Sequence, residues 1–335
     1  MVGRALRTEK LGETLLPKRL ALPVFASDAL SSVSYATQEI LLVLSIGGLA
    51  LFVFTPWIAL VVAIVMVVVV ASYRQNVRAY PSGGGDYEVA SVNLGPNAGV
   101  VVASALFIDY VLTVAVSVAA AVANTASIIP FVGQHKVMIA VVIIMVLTFM
   151  NLRGVRESGT LFAIPTYAFI AAIALMVIWA SVRLASGAEL LAPSAPYDIH
   201  AEESLTGAAL VFLIARAFSS GCTALTGVEA ISNGVPAFRK PKSKNAATTL
   251  LLLGIIAISM FLSVTALAII TKVKVVENPE DLIGAPPELA SQTVIAQIAE
   301  AVFGDVHILA SFVVVTAALI LMLAANTAVN GFPVL

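Results

Sequence analysis

The sequence predicts an all-α integral membrane protein that crosses the bilayer about eight times. Hydrophobic residues make up 60% of the chain and charged residues only 11%, whereas a soluble domain carries about 25% charged residues. Apolar runs of about 20 residues, the length that a helix needs to cross a bilayer, recur along the chain. The net charge of −1 gives no basis for nucleic-acid binding. The single cysteine excludes an intrachain disulfide framework and a cysteine-based metal cluster.

The elements follow one another from a basic arm at 1–19 to a last apolar run near the end of the chain. The predicted spans are 20–46, 51–72, 98–125, 137–152, 160–185, 207–233, 247–271 and 305–326. A glycine-rich loop with Gly83–Gly85 separates the second span from the third, and we expect it to be a flexible intracellular turn. An acidic connection covers 186–206, and the connection 272–303 is expected to carry a short helix at Pro287–Phe303.

The distribution of basic residues predicts the orientation of the spans. If the N-terminus is cytoplasmic, 13 Lys and Arg residues fall in inside segments and 4 in outside segments. Cytoplasmic loops of membrane proteins carry such an excess of positive charge. The sequence therefore predicts a multi-pass protein of the cell membrane with a cytoplasmic arm at 1–19 and an extracellular linker at 186–206.

The first span carries a polar interruption at its centre. Asp28 is accompanied by a series of serines and by Tyr35, and the apolar run resumes at Ile40. A carboxylate at bilayer depth costs roughly 2.5–3.5 kcal/mol even on insertion scales. Irregular backbone at this depth must face protein or a cavity. We therefore expect an unwound segment here, of the kind that forms binding sites in many secondary transporters.

The sixth span repeats this pattern. Its helical sequence is expected to be interrupted at Ser219–Thr223. Thr226 and Glu229 follow at a spacing of three, so they share one helix face. If the chain contains two repeats of five helices, the first and sixth spans are corresponding members, and interrupted spans at such positions indicate a transport site.

The third span carries a stripe of oxygen-bearing side chains. Asp109, Thr113 and Ser117 recur every four residues and lie on one face of a helix, with Tyr110 beside them. Carboxylate and hydroxyl oxygens are suitable ligands for hard cations. The alternative is that Thr113 and Ser117 serve helix–helix packing, which is common for small hydroxyl residues in membranes.

Three carboxylates are thus predicted inside spans: Asp28, Asp109 and Glu229. Arg216 is the one basic residue predicted within a span, and it either pairs with a carboxylate or extends towards the cytoplasm. Because burial favours the protonated form of a carboxylate, one of the three could alternate between a proton and a cation. No nucleophile–base arrangement, zinc motif or phosphate-binding loop is present, so the sequence does not favour an enzyme, and no cofactor is expected.

Several of these stretches together resemble one family. They are Ser27–Tyr35, Ser72–Gln75 with Ala79–Gly85, Asp109–Ser117, Asn151–Gly154, Ala217–Asn233 and Ala324–Thr327. They are similar to the KUP-type potassium transporters of the amino acid–polyamine–organocation superfamily, and the similarity extends over nearly the whole chain from Lys18.

The resemblance implies a LeuT-like fold of two inverted five-helix repeats, 20–185 and an incomplete 207–335. It implies a secondary transporter that imports potassium with protons by alternating access, and a homodimer for the full-length parent. The potassium ligands of the family would fall on Asp28, Tyr35, Asp109, Tyr110, Thr113, Ser117, Thr226 and Glu229. Since the sequence stops soon after the eighth span, we expect it to be a fragment of a longer transporter.

An amino-acid or polyamine permease of the same superfamily is the alternative. Amino-acid permeases place glycines at the first interruption, where bare backbone can hold a substrate carboxylate. Here Asp28 occupies that region, and an ionised carboxylate repels an anion and attracts a cation. A cationic amine stays open as a substrate, and ligand type alone does not separate potassium from sodium.

Overall fold

The computed structural model describes residues 15–152, 159–201 and 205–331. Most of the predicted basic arm, residues 1–14, lies outside the described residues. Helices dominate the described part of the chain. They are α1 Lys18–Ser31, α2 Val33–Ser45, α3 Thr55–Ala79, α4 Gly85–Leu94, α5 Pro96–Ala126, α6 Pro130–Gln134, α7 Lys136–Leu152, α8 Gly159–Ala185, α9 Ala208–Gly221, α10 Glu229–Asn233, α11 Lys242–Ile270, α12 Pro287–Ala290, α13 Val294–Phe303 and α14 His307–Gly331.

Short elements connect these helices. Single 3₁₀ turns lie at Leu49–Phe54, Cys222–Leu225, Val235–Ala237 and Pro279–Asp281. Strands β1, Asp198–Ile199, and β2, Leu282–Ile283, form a two-stranded antiparallel sheet that links the two long connections. This pairing covers one end of the helix assembly.

Within the described residues, six helical segments are long and apolar enough to cross a membrane. They are Leu49–Ala79, Pro96–Ala126, Ala163–Ala185, Ala208–Asn233, Lys242–Ile270 and His307–Val329. They agree with six of the eight predicted spans. The predicted first span is divided between α1 and α2, and the predicted fourth span is α7, which has 17 residues. The all-α, multi-pass membrane class is therefore confirmed.

The interruption of the first span is smaller than the sequence predicts. Helical hydrogen bonding is interrupted at Ser32 alone, which keeps right-handed helical angles. The hydroxyls of Ser31, Ser32 and Ser34 each donate to the carbonyl three residues earlier, at 2.6 to 2.9 Å. Such back-bonding satisfies the hydroxyls locally and bends a helix without unwinding it. The expected unwound segment is thus a one-residue interruption.

The interruption of the sixth span lies later than predicted. α9 continues through Ser219 and Ser220 to Gly221. The irregular segment covers 222–228, and its backbone turns at Thr226, which is extended, and Gly227, which has φ +77°. The serines were expected to interrupt the helix, but they lie within α9, and Gly227 provides the left-handed conformation between the 3₁₀ turn and α10.

Two predicted connections differ from expectation, one with more helix and one with a divided helix. Residues 85–94, predicted as loop, form α4 after the left-handed glycines Gly83 and Gly84. The predicted helix Pro287–Phe303 is two helices, α12 and α13, separated at 291–293, where Thr293 caps α13 by accepting from the Ala296 amide.

The core is built around the first span. α1 and α2 carry many fully buried residues, and they are surrounded by α8, α9, α11 and α14. α5 packs along α14, and α3 packs along α11. Large exposed hydrophobic side chains lie on the outer faces of α3, α5, α7 and α11, as expected for surfaces that face lipid.

Candidate functional site

The interrupted part of the sixth span touches the first span just before the interruption at Ser32. A Cβ atom placed on Gly227 would lie 2.6 Å from the Cβ of Asp28 and 2.7 Å from the Ala29 amide nitrogen. Real Cβ contacts of this length essentially never occur. The absence of a side chain at Gly227 therefore allows the backbone of the sixth span to lie directly against Asp28 of the first.

Asp28 is buried in this contact. Its side chain is 6% exposed, and its Oδ1 atom is buried without a hydrogen-bond partner. Nearly all buried polar atoms in proteins have a partner, and an unpaired one costs about 1–3 kcal/mol. This oxygen is therefore an acceptor with unused capacity in the protein interior.

Tyr35 lies one helical turn beyond the interruption, on α2. It is 6% exposed and packs against Ala121 of α5 and Leu321 of α14. Its hydroxyl faces the side chain of Thr226 within hydrogen-bonding reach, and the Thr226 hydroxyl donates to the Thr223 carbonyl at 3.0 Å. The predicted residues of the first and sixth spans are thus brought together.

The residues of the stripe on α5 differ in how deeply they are buried. Thr113 is 6% exposed and Ser117 is fully buried, while Asp109 and Tyr110 are half-buried. The Ser117 Oγ atom has no hydrogen-bond partner. Two of the predicted oxygen ligands, Asp28 Oδ1 and Ser117 Oγ, are thus buried atoms without partners.

Glu229 begins α10 and is 9% exposed. Its carboxyl interacts electrostatically with those of Asp28 and Asp109, and Asp28 and Asp109 interact with each other. Tyr110 lies close enough to sense the carboxyls of Glu229 and Asp28. The three predicted carboxylates therefore share one region between α1, α5 and α10, although they come from three separate spans.

These carboxylates do not form one compact cluster. Among the described residues, no three His, Cys, Asp or Glu side chains converge to hold a metal ion. A site in this region would combine carboxylates with hydroxyl oxygens drawn from separate spans.

Arg216 does not enter this region. Arg216 is exposed on α9. The one ion pair found among the described residues joins Lys274 and Asp198, at 3.8 Å. Of the two alternatives for Arg216, pairing with a buried carboxylate is therefore not observed. Glu39 is half-buried on α2 and interacts with Glu277, as expected for a residue beyond the site.

Sequence reasoning missed how tightly the glycine-rich turn closes one end of the molecule. A Cβ on Gly83 would lie 2.9 Å from the Asn233 carbonyl oxygen, and one on Gly85 would lie 2.1 Å from the Asn233 Oδ1 atom. The predicted flexible turn is instead packed against the end of the sixth span. The three consecutive glycines were the available signal, since glycine permits close approach of backbone segments.

Further contacts involve Phe238, which follows the sixth span. Leu16, two residues before α1, forms a parallel bridge with Phe238, and its amide donates to the Ala237 carbonyl at 2.9 Å. The ring of Phe238 stacks on Phe25, with centroids 5.5 Å apart. No sequence pattern predicted these two contacts, because they join positions far apart in the chain.

The Tyr73 hydroxyl near the end of α3 donates to Asp86 of α4 at 2.6 Å.

Comparison with known proteins places this arrangement in a family. A family model described as "Amino acid permease" matches residues 21–335. The chain belongs to this family. It is also 38% identical over 337 residues to the potassium transporter KimA of Bacillus subtilis, a match that covers 99% of this chain and 52% of the relative. The chain therefore spans about half the length of the curated relative that it matches.

The relationship predicted from the sequence motifs is thereby confirmed. Membership of a permease family also agrees with the six apolar segments described above. The site residues stay a prediction. In the structure, Gly227 of the sixth span lies directly against Asp28, and Asp109 of the stripe on α5 lies close enough to Asp28 to interact with it electrostatically.

Proposed function

We propose that this chain forms the membrane core of a secondary transporter that imports potassium. One observation carries the proposal: the buried Asp28 carboxyl has an oxygen atom without a partner, and it lies in a region shared with two other carboxyls. A partly dehydrated cation would provide the partner that this oxygen lacks, because it is attracted to the negative carboxylate. The potassium ion is the substrate, not a permanent constituent of the site.

The proposed ligands are the eight predicted oxygen-bearing residues. They are Asp28, Tyr35, Asp109, Tyr110, Thr113, Ser117, Thr226 and Glu229. The buried and unpartnered hydroxyl of Ser117 supports this assignment, as does the position of Thr226 beside Tyr35. Rings of neutral oxygens with few charges replace the hydration shell of potassium. The relative with 38% identity is a potassium transporter.

We infer that transport is coupled to protons and proceeds by alternating access. Three carboxyls that repel one another do not all stay charged in an apolar interior. One of them would therefore exchange a proton for the potassium ion during the cycle. The repeats 20–185 and 207–335 would move relative to each other, in a cell membrane with the N-terminus inside. For the full-length protein we propose a homodimer.

The alternative substrate is an amino acid or a polyamine. Membership of a family described as amino acid permeases favours it. The position of Asp28 opposes an amino acid, because its carboxyl lies directly against Gly227, at the irregular backbone that would hold a substrate carboxylate. Two anions at this distance repel each other.

Rubidium uptake into proteoliposomes containing the full-length protein tests the proposal. We expect uptake that an inward proton gradient drives and that excess potassium suppresses. Asp28→Asn and Asp109→Asn keep side-chain volume and remove the charge, so each should abolish uptake. Glu39→Gln is the matched control, because Glu39 lies in the same span as Asp28 but beyond the site, and it should retain uptake.

Two results would overturn the proposal. Absence of rubidium flux together with exchange of a labelled amino acid or polyamine would assign the chain to the alternative. Retention of gradient-driven uptake in both aspartate variants would exclude these carboxyls from the cation path and leave the stripe on α5 to helix packing.

A further inference from the structure

A cavity of about 250 Å³ lies at one end of the molecule, away from the site described above. Most of its lining is apolar and comes from α2, the 3₁₀ turn Leu49–Phe54 and the end of α11. The lining includes Leu41, Phe52, Thr55, Ala268, Ile269 and Lys272. The cavity therefore joins the loop between the first two spans to the end of the seventh.

Thr55 is one of the residues that line this cavity, and it carries a polar atom without a partner. The Oγ1 atom of Thr55 is buried without a hydrogen-bond partner, and the residue is fully buried. Thr55 stands in the first turn of α3 and does not cap that helix. A buried hydroxyl without a partner is rare. A ligand in the cavity that carries an oxygen atom would supply the missing partner.

The rim of the cavity is positively charged. Lys272 is exposed, and its backbone is held in the left-handed region, with φ +55°. Lys274 also lines the cavity, but its amine contacts the Tyr197 carbonyl and Asp198. Of the two lysines, Lys272 is thus the exposed one.

The cavity lies at the ends of two membrane-length segments. The segment Leu49–Ala79 begins here and the segment Lys242–Ile270 ends here. Trp57, in the first turn of α3, is 66% exposed. Exposed tryptophans are enriched at membrane–water interfaces, and the charge of an exposed lysine attracts an anionic headgroup.

We propose that this cavity binds an anionic phospholipid. An acyl chain would occupy the apolar part beside Leu41, Phe52 and Ile269. The phosphate would lie against Lys272, and Thr55 would donate to an ester or glycerol oxygen. The proposal commits to a lipid and not to free phosphate, because most of the cavity wall offers only apolar contact.

Thermal unfolding of the purified full-length protein in a neutral detergent tests this site. Phosphatidylglycerol, phosphatidylcholine and inorganic phosphate are titrated separately, since a ligand that binds only the folded state raises the unfolding temperature. We expect a saturable increase with phosphatidylglycerol, a smaller one with phosphatidylcholine and none with phosphate.

Three variants locate the effect. Ala268→Phe fills the cavity and should abolish the response to phosphatidylglycerol. Lys272→Gln should raise the concentration for half-maximal response about fivefold, the upper range for an exposed charge contact. Lys136→Gln, at the start of α7, is the matched control and should leave the response unchanged.

Thr55→Val separates binding from a purely structural role. It removes the unpartnered hydroxyl, so the lipid-free protein should unfold at a higher temperature, while about threefold more lipid is needed for half-maximal response. Equal responses to phosphatidylglycerol and phosphatidylcholine, or unchanged responses in Ala268→Phe and Lys272→Gln, would overturn the proposal. A response to phosphate alone would reduce the site to a simple anion contact and also overturn it.

Discussion

Replacement of Gly227 by alanine tests the contact between the first and sixth spans. Two costs add in this variant. An L-residue at φ +77° carries a strain of about 1–2 kcal/mol. The new Cβ atom would lie 2.6 Å from the Asp28 Cβ atom, well inside ordinary contact, which begins at 3.4 Å. Forcing a methyl group into a packed interior costs about 1–3 kcal/mol.

The contact with Asp28 leaves little room for relaxation. The Ala29 amide nitrogen, 2.7 Å from the same Cβ position, belongs to the backbone of α1, which cannot rotate away as a side chain could. We therefore expect Gly227→Ala to lose about 2–5 kcal/mol of stability. For a chain of 335 residues, this loss would lower the unfolding temperature in detergent by about 3–7 °C. Rubidium uptake should be abolished, since Asp28 is displaced.

Gly187→Ala is the matched control. Gly187 has nearly the same backbone angle, φ +82°, but nothing lies within 4 Å of its Cβ position. This control carries the strain without the collision, so it should lose only about 1–2 kcal/mol and keep its transport. If the two variants unfold at the same temperature and both transport rubidium, Gly227 of the sixth span does not lie against Asp28 of the first span as described.

Three other substitutions examine separate parts of the structure. Ser117→Ala removes a buried hydroxyl without a partner. It should leave the stability unchanged or raise it by about 1 kcal/mol, and it should weaken rubidium uptake. The control is Ser45→Ala, which removes a hydroxyl that is hydrogen-bonded at 2.7 Å and should lower stability without affecting uptake. The reverse pattern would remove Ser117 from the site. Phe238→Ala deletes a fully buried ring that stacks on α1 and should cost about 3–5 kcal/mol in thermal unfolding; a loss below about 1 kcal/mol would show that this end is not packed as described. Tyr73→Phe removes the 2.6 Å bond to Asp86 and should cost about 1–3 kcal/mol, and an unchanged unfolding temperature would contradict that bond.

The periodicity of polar residues predicted much of the candidate site. The spacing of four along α5 places Thr113 and Ser117 on the buried face, as expected from helix geometry. Asp28 and Glu229 could be selected because carboxylates within apolar runs are costly. Such patterns can be recognised from the sequence because they depend only on residues within about two helical turns of one another.

Other features were beyond sequence reasoning. The position of the interruption in the sixth span includes Gly227, which lies directly against α1. Because serines are common in loops, the nearby serines led to a prediction a few residues too early. α4 begins at the last of three glycines that predicted a flexible loop. Its stability comes from contact with α5 and α10, which no local propensity reveals.

The small interruption at Ser32 has a mechanical consequence. The hydroxyls of Ser31, Ser32 and Ser34 are bonded to carbonyls of their own helix, so they travel with it when the helix bends. A hinge at this point would break no hydrogen bond of these serines to another helix. The resistance to such a motion would come from the packing of fully buried neighbours such as Leu30 and Val33, from the 3.3 Å contact of Ser27 with Thr327 and from the stacked ring of Phe25. Bending of the first span would thus be opposed by its packing against other helices, and the hydroxyls of the three serines would add no resistance of their own.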